Sequence, residues 1–277
     1  MIYSDPSHHH HIAGLSYAVK GMQMTDERKS LNLTVLFRIR HIILYRRMNM
    51  KKLNIYGDSI LGGVILNKAT NRYQRIGQSF IDEEEKKYNI EIENYSKFGC
   101  TIDKGYKCVE DTLERDLPAA AVIEYGGNDS DFHWTEIALT PTEEHSPKTP
   151  LDAFCAYMKK IIGKLREKNV TPILMTLPPI DSEKYLEWVS KSDESRRENI
   201  KKWLGDVNVI YRFHKMYSDA VARIAEETGC VLADVRARFM NSSDYSSLIC
   251  EDGIHPTAEG YRIVWDVLGS ASAGALA

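Results

Sequence analysis

The chain lacks a C-x-x-C pair: its five cysteines, Cys100, Cys108, Cys155, Cys230 and Cys250, are odd in number and scattered. That spacing points away from a disulfide frame or a cysteine zinc site and toward the reduced thiols of a cytosolic protein. Positive charge is not in excess, with 36 Lys and Arg against 39 Asp and Glu and a formal charge of −3. Nucleic-acid binding needs a basic face, so no such partner is expected. Nor is there a membrane-spanning run of about twenty apolar residues. The stretch from Leu31 to Tyr45 comes nearest, and Arg38, Arg40 and His41 interrupt it. Membrane insertion is not expected. No secretory leader is legible, because Arg46-Arg47 follow the apolar run instead of preceding it. H-E-x-x-H is absent and His8 to His11 form the one histidine cluster, so neither metal nor cofactor is expected. Internal repeats and interdomain linkers are likewise absent.

What is there divides unevenly. Residues 1–49 hold the histidine run and no sustained period, and read as a tag or an over-extended reading frame, with Met48 or Met50 as the natural start. Residues 50–270 read as a single domain, and 271–277 as a flexible small-residue tail. Within the domain, strand-like and helix-like segments alternate. Strands are expected at Leu53 to Tyr56, Ile90 to Tyr95, Ala120 to Tyr125, Pro172 to Leu177 and Cys230 to Ala233. Helices are expected at Gln78 to Tyr88, Lys104 to Leu117, Pro150 to Lys168, Ile210 to Gly229 and Ala258 to Leu268. This alternation predicts an α/β fold, a five-stranded, mainly parallel sheet covered by helices. Residues 129–150 read as a long polar connection, and 178–208 as a charged insertion with one helix near the open end of the sheet.

Chemistry-bearing residues fall just after strand ends, where ligands bind in open α/β sheets. Gly57-Asp58-Ser59 closes the first strand and reads as a helix start, which would place a serine hydroxyl near backbone N–H donors. Phe98-Gly99-Cys100-Thr101 follows the second strand, and Gly126-Gly127-Asn128-Asp129 the third. Late in the chain comes Glu251-Asp252-Gly253-Ile254-His255-Pro256. Pro256 holds His255 extended at a helix entrance, so one ring nitrogen can face Ser59 while Asp252 orients the other. Each block alone also reads as an ordinary turn, loop start or helix cap.

Taken in order, the four blocks resemble the SGNH (GDSL-type) hydrolase family over roughly Leu53 to Leu268. The resemblance implies a three-layer α/β/α, flavodoxin-like fold and a cofactor-independent serine esterase. It implies Ser59 as nucleophile, His255 as base and Asp252 as its partner. The oxyanion donors would be the Ser59 N–H, the Gly99 N–H and the Asn128 side chain. Cys100 stands where the family often has an acidic residue after the glycine. The G-x-S-x-G elbow fits less well, because Leu61 replaces its second glycine. Asp58, Phe132, Trp134 and Pro178 are the candidate pocket residues, Trp134 either stacking on substrate or pinning its loop. The expected substrate is a small-molecule ester, with short acyl groups such as acetyl on a carbohydrate or small alcohol. Acyl transfer to sugar hydroxyls, a lysophospholipase-like activity and a non-catalytic binding module are the alternatives. A cytoplasmic location is expected, and oligomeric state is not legible.

Overall fold

Apolar runs at β1 (Lys51–Tyr56) and its neighbours set the architecture. The computed structural model describes residues 50–77 and 79–277; the extension read at 1–49 lies outside them. After β1 come β2 (Val64–Asn67), β3 (Arg72–Arg75), β4 (Ile90–Asn94), β5 (Ala120–Ile123), β6 (Thr171–Met175) and β7 (Val231–Ala233). Five of these form one sheet in the order β4-β1-β5-β6-β7, every pair parallel. In the centre Ile55 pairs with Asn94 on one side and Val122 on the other. All four residues of β5 are buried, as a strand covered on both faces requires. The strand order reverses direction at β1. A crevice therefore opens at the carboxyl ends of β1 and β5, the usual ligand position in such sheets.

The helices are α1 (Ser79–Tyr88), α2 (Ile102–Leu113), α3 (Trp134–Leu139), α4 (Leu151–Glu167), α5 (Ser182–Ser190), α6 (Glu194–Leu204), α7 (Asn208–Thr228), α8 (Val235–Met240) and α9 (Ala258–Leu276). One apolar layer joins the sheet to α2, α4 and α7 through residues such as Val109, Met158 and Val221. A second layer on the opposite face joins it to α1, α8 and α9 through Phe239, Val264 and Trp265. The result is the α/β fold that the alternation predicts, in the three layers that the family resemblance implies. The α4 stripe of Phe154, Met158, Ile161, Ile162 and Leu165 is wholly buried, which is why a 17-residue helix stops and starts where its apolar spacing does. A third cluster lies over the carboxyl ends of the strands, where Phe132, Trp134, Ile137, Leu186 and Ile200 bind α3, α5 and α6 into a cap.

Several expectations are corrected. Ser59 is not followed by a helix: a single turn, with Gly62 N–H on Asp58 O at 2.9 Å, ends at Gly63 with φ +66°. Ile76 packs where a Gly63 Cβ would stand, 2.8 Å away, and the chain passes into the antiparallel hairpin of β2 and β3. The second helix begins two residues before Lys104 and stops at Leu113, because Asp116 turns away to pair with Lys52 at 2.8 Å. The polar connection contains α3, and the charged insertion holds two helices, each with an aspartate N-cap, Asp181 and Asp193. The tail read as flexible continues α9 to Leu276. Its small residues let the helix pack closely, since a Cβ on Gly269 would lie 2.3 Å from the Tyr88 ring. Among the described residues no helix is long and apolar enough to cross a membrane.

Candidate active site

Where β1 ends, the chain must pass tightly over β5. A Cβ on Gly57 would lie 2.8 Å from Glu124 Oε2, so glycine is the residue that fits. Asp58 comes next and is buried. Its Oδ1 accepts the Ile60 N–H at 2.8 Å, which fixes the turn that presents Ser59. The Ser59 and Gly99 N–H groups have no acceptor in the described backbone network, and both residues line one cavity.

The late block folds onto this turn. Asp252 Oδ1 accepts the N–H groups of Ile254 and His255, each at 3.0 Å, and so shapes its own loop. Gly253 takes φ +76°, and a Cβ there would strike Tyr185 N at 2.4 Å, so α5 packs directly on the bend. Pro256 sits before the helix cap, which is Thr257. His255 Nε2 then lies 2.9 Å from Ser59 Oγ, and Nδ1 lies 2.6 Å from Asp252 Oδ2. Asp252 is fully buried and His255 is 3% exposed. Burial pushes the Asp252 carboxyl up. The His255 ring and the two backbone donors outweigh it and hold the group below the usual carboxylate range. A carboxylate only accepts, so Nδ1 carries the ring proton and Nε2 is left to accept from the serine hydroxyl.

Asn128, after β5, donates from Nδ2 to Asp58 Oδ2 at 2.8 Å and borders the same cavity. Beneath them Glu124 is fully buried, with Oε2 accepting the Asp58 N–H at 3.2 Å. Burial, and then the Asp58 carboxylate beside it, push the Glu124 acid well above its ordinary range. Asp129 is also buried and caps α2 by accepting the Ile102 N–H at 3.0 Å; burial pushes it up to about 6.

The structure brings together Ser59, Gly99, Asn128, His255 and Asp252, and places Asp58, Phe132, Trp134 and Pro178 in the wall of the cavity. The cavity has a volume of about 120 Å³. Trp134 pins the cap: its indole N–H reaches Asp131 at 2.7 Å and Tyr185 at 3.1 Å. Sequence reasoning missed Tyr73 and Phe98, whose rings stand 5.0 and 6.2 Å from the His255 ring at the mouth. No spacing announces Tyr73, because all four residues of β3 are exposed. His214 was missed as well, although its place in the apolar stripe of α7, between Ile210 and Tyr217, is a signal. A histidine in such a stripe either finds a partner or borders a cavity.

The model of the GDSL-like Lipase/Acylhydrolase family matches residues 55–263. A GDSL esterase/lipase of Arabidopsis thaliana, CPRD49, is 26% identical over 185 residues, 65% of this chain and 64% of that one. Another, WDL1 of Oryza sativa subsp. japonica, is 20% identical over 68% of this chain and 66% of its own. The chain thus spans just under two thirds of the length of the curated relatives it matches. Among solved structures, a lipase/acylhydrolase from Enterococcus faecalis superposes with a TM-score of 0.56 at 17% identity, over 81% of this chain and 96% of that one. A catalytic mutant of an acetylxylan esterase from Geobacillus stearothermophilus gives 0.55 at 20% identity, over 80% and 93%. Those likenesses show a shared fold. With the family model covering every block that forms the site, the chain belongs to the GDSL-like lipase/acylhydrolase family.

Proposed function

We propose that this protein is a serine ester hydrolase working through an acyl-enzyme. One observation carries the reading: the unbroken chain from Ser59 Oγ to His255 Nε2 and from Nδ1 to Asp252, with unpaired N–H groups bordering the same cavity. Ser59 attacks the ester carbonyl while its hydroxyl proton passes to His255 Nε2. The ring, now cationic, is held by Asp252 and returns that proton to the leaving alcohol oxygen. The oxyanion meets the Ser59 and Gly99 N–H groups and the Asn128 amide. A water molecule repeats the sequence, giving its proton to His255 and its oxygen to the acyl carbon, and Ser59 is regenerated.

The two arms of the ester are distinguished by burial. The leaving alcohol has to lie beside His255, where Tyr73 and Phe98 are 37% and 59% exposed, so it faces the open mouth. The acyl arm takes the inward course, past Leu177 and Ile180 toward Leu204, Ile210 and Phe213. These buried apolar walls support an acyl arm of several carbons over the acetyl group expected from sequence, whose basis was the polar character of the loops. The walls combine Leu177 and Ile180, which follow β6, with Leu204 of α6 and Ile210 and Phe213 of α7.

Hydrolysis of p-nitrophenyl acetate, butyrate, hexanoate and octanoate by the wild type and Ser59→Ala tests this. The expected result is Ser59-dependent turnover that rises beyond acetate. Turnover by Ser59→Ala near the wild-type rate contradicts the mechanism, and a monotonic fall from acetate contradicts the acyl assignment.

A further inference from the structure

The inner end of the cavity carries polar groups for which ester hydrolysis has no use. His214 borders the cavity there and is 6% exposed. Its Nδ1 lies 3.4 Å from Arg236 Nη1. A guanidinium only donates, so Nδ1 is the acceptor and the proton of the neutral ring sits on Nε2. Burial and the adjacent guanidinium both favour that neutral ring. The one hydrogen bond of the ring among the described residues is that on Nδ1, which leaves Nε2 without a protein partner there.

Arg236 is itself 6% exposed. Nη1 reaches Leu177 O at 3.3 Å, the Tyr211 ring lies 4.9 Å from Cζ, and Nε and Nη2 have no partner among the described residues. Among the described residues no carboxylate stands within 4.0 Å of this guanidinium. Asp234, two residues earlier, is committed through Oδ1 to the Thr176 hydroxyl at 2.9 Å and the Ala237 N–H at 3.0 Å. A buried cation without a counter-charge is costly, and so is a buried donor without an acceptor. Both deficits belong to Arg236, which lies behind His214, and His214 lines the same cavity as Ser59. An alkyl terminus there would leave both unmet.

We propose that the inner end of the cavity recognises a carboxylate: the acyl arm of the substrate ends in a carboxylate that accepts the His214 Nε2–H and supplies the negative charge that Arg236 lacks. The substrate class is then the monoesters of dicarboxylic acids. The inference rests on the assignment of Ser59 as the ester nucleophile and names the acyl group which that site takes.

The test uses the full chain carrying Ser59→Ala, titrated calorimetrically with monoethyl succinate, glutarate, adipate and suberate. Each is compared with the ethyl ester of the monocarboxylic acid of equal chain length. At the best length the acid ester should bind at least tenfold tighter. His214→Phe in the same background should abolish that preference, and His214→Gln, which keeps a side-chain N–H, should retain part of it. Equal binding of the two series at every length overturns the proposal, as does an undiminished preference in His214→Phe. Wild-type turnover of the same esters separates the two readings. Ser59-dependent hydrolysis with no preference for the acid esters overturns the carboxylate site alone. Preferential binding without turnover supports the site and overturns the hydrolase assignment.

Discussion

Asn128 donates from Nδ2 to Asp58 Oδ2 at 2.8 Å, so the residue before the serine anchors the side chain assigned to the oxyanion. An amide has two N–H groups, and the one on Asp58 leaves the second for the cavity. Asp58→Asn keeps an acceptor for Ile60 but sets one amide N–H₂ against another. It should lower kcat at least tenfold with a smaller change in KM, since the misplaced donor matters in the transition state. Asn128→Ala should cost about 10²–10³ in kcat. If Asp58 acts through Asn128, the double variant is no slower than Asn128→Ala, and steady-state kinetics on the three proteins will tell. Multiplicative losses would place Asp58 in a separate role.

Glu124 makes a second prediction. It is fully buried beside Asp58, and its acid is pushed well above the ordinary range by burial and then by the Asp58 carboxylate, which favours the neutral form. Glutamine reproduces its shape, keeps an oxygen for the Asp58 N–H and never ionises. Glu124→Gln should therefore be no less stable than the wild type in urea at neutral pH. Glu124→Ala, which strips the Asp58 N–H of its acceptor, should lose about 1–3 kcal/mol. A large loss in the glutamine variant would mean that the carboxylate form is the one the fold needs.

Strand β5 was legible because Ala120–Ile123 is an unbroken apolar run, β4 because Ile90 and Ile92 alternate with glutamates, and the site blocks because strand-end motifs keep a fixed order along the chain. Other features depended on contacts that no local pattern carries. Arg72, Tyr73, Gln74 and Arg75 are all exposed, so β3 shows no alternation, and its pairing with Val64–Asn67 is set by the turn in which the Asn71 N–H reaches Asn67 O at 2.8 Å. The helix through Ser270 and Ala271 is held by α1 packing on Gly269, a contact between residues nearly two hundred positions apart. The cap and its cavity arise where Phe132, Leu204 and Ile210 meet. Residues 129–150 and 178–208 read as a polar connection and a charged insertion because their apolar residues stand among many charged and polar ones.

Asp129 gives a pH prediction. Its folded-state pKa is raised from 3.8 to about 6 by burial. A raised acid favours the folded state below its unfolded pKa, and that advantage is lost as pH climbs through the folded value. Stability should fall by up to about 3 kcal/mol from this group between roughly pH 4 and pH 6, and level off above. Urea unfolding of wild type and Asp129→Asn across that range isolates it, because the variant lacks the titration. Parallel profiles for the two proteins would contradict the assignment.

The claim that Ser59 is a nucleophile activated by His255 is tested most directly by covalent capture. An alkyl fluorophosphonate is incubated with the wild type, Ser59→Ala and His255→Ala, and intact masses are followed over time. The prediction is a single phosphonyl adduct on the wild type, mapped to the peptide containing Ser59. Ser59→Ala should stay unlabelled, and labelling of His255→Ala should be slower by at least 10², the usual worth of a general base. An adduct on another residue, or equal labelling rates in the wild type and His255→Ala, would contradict it.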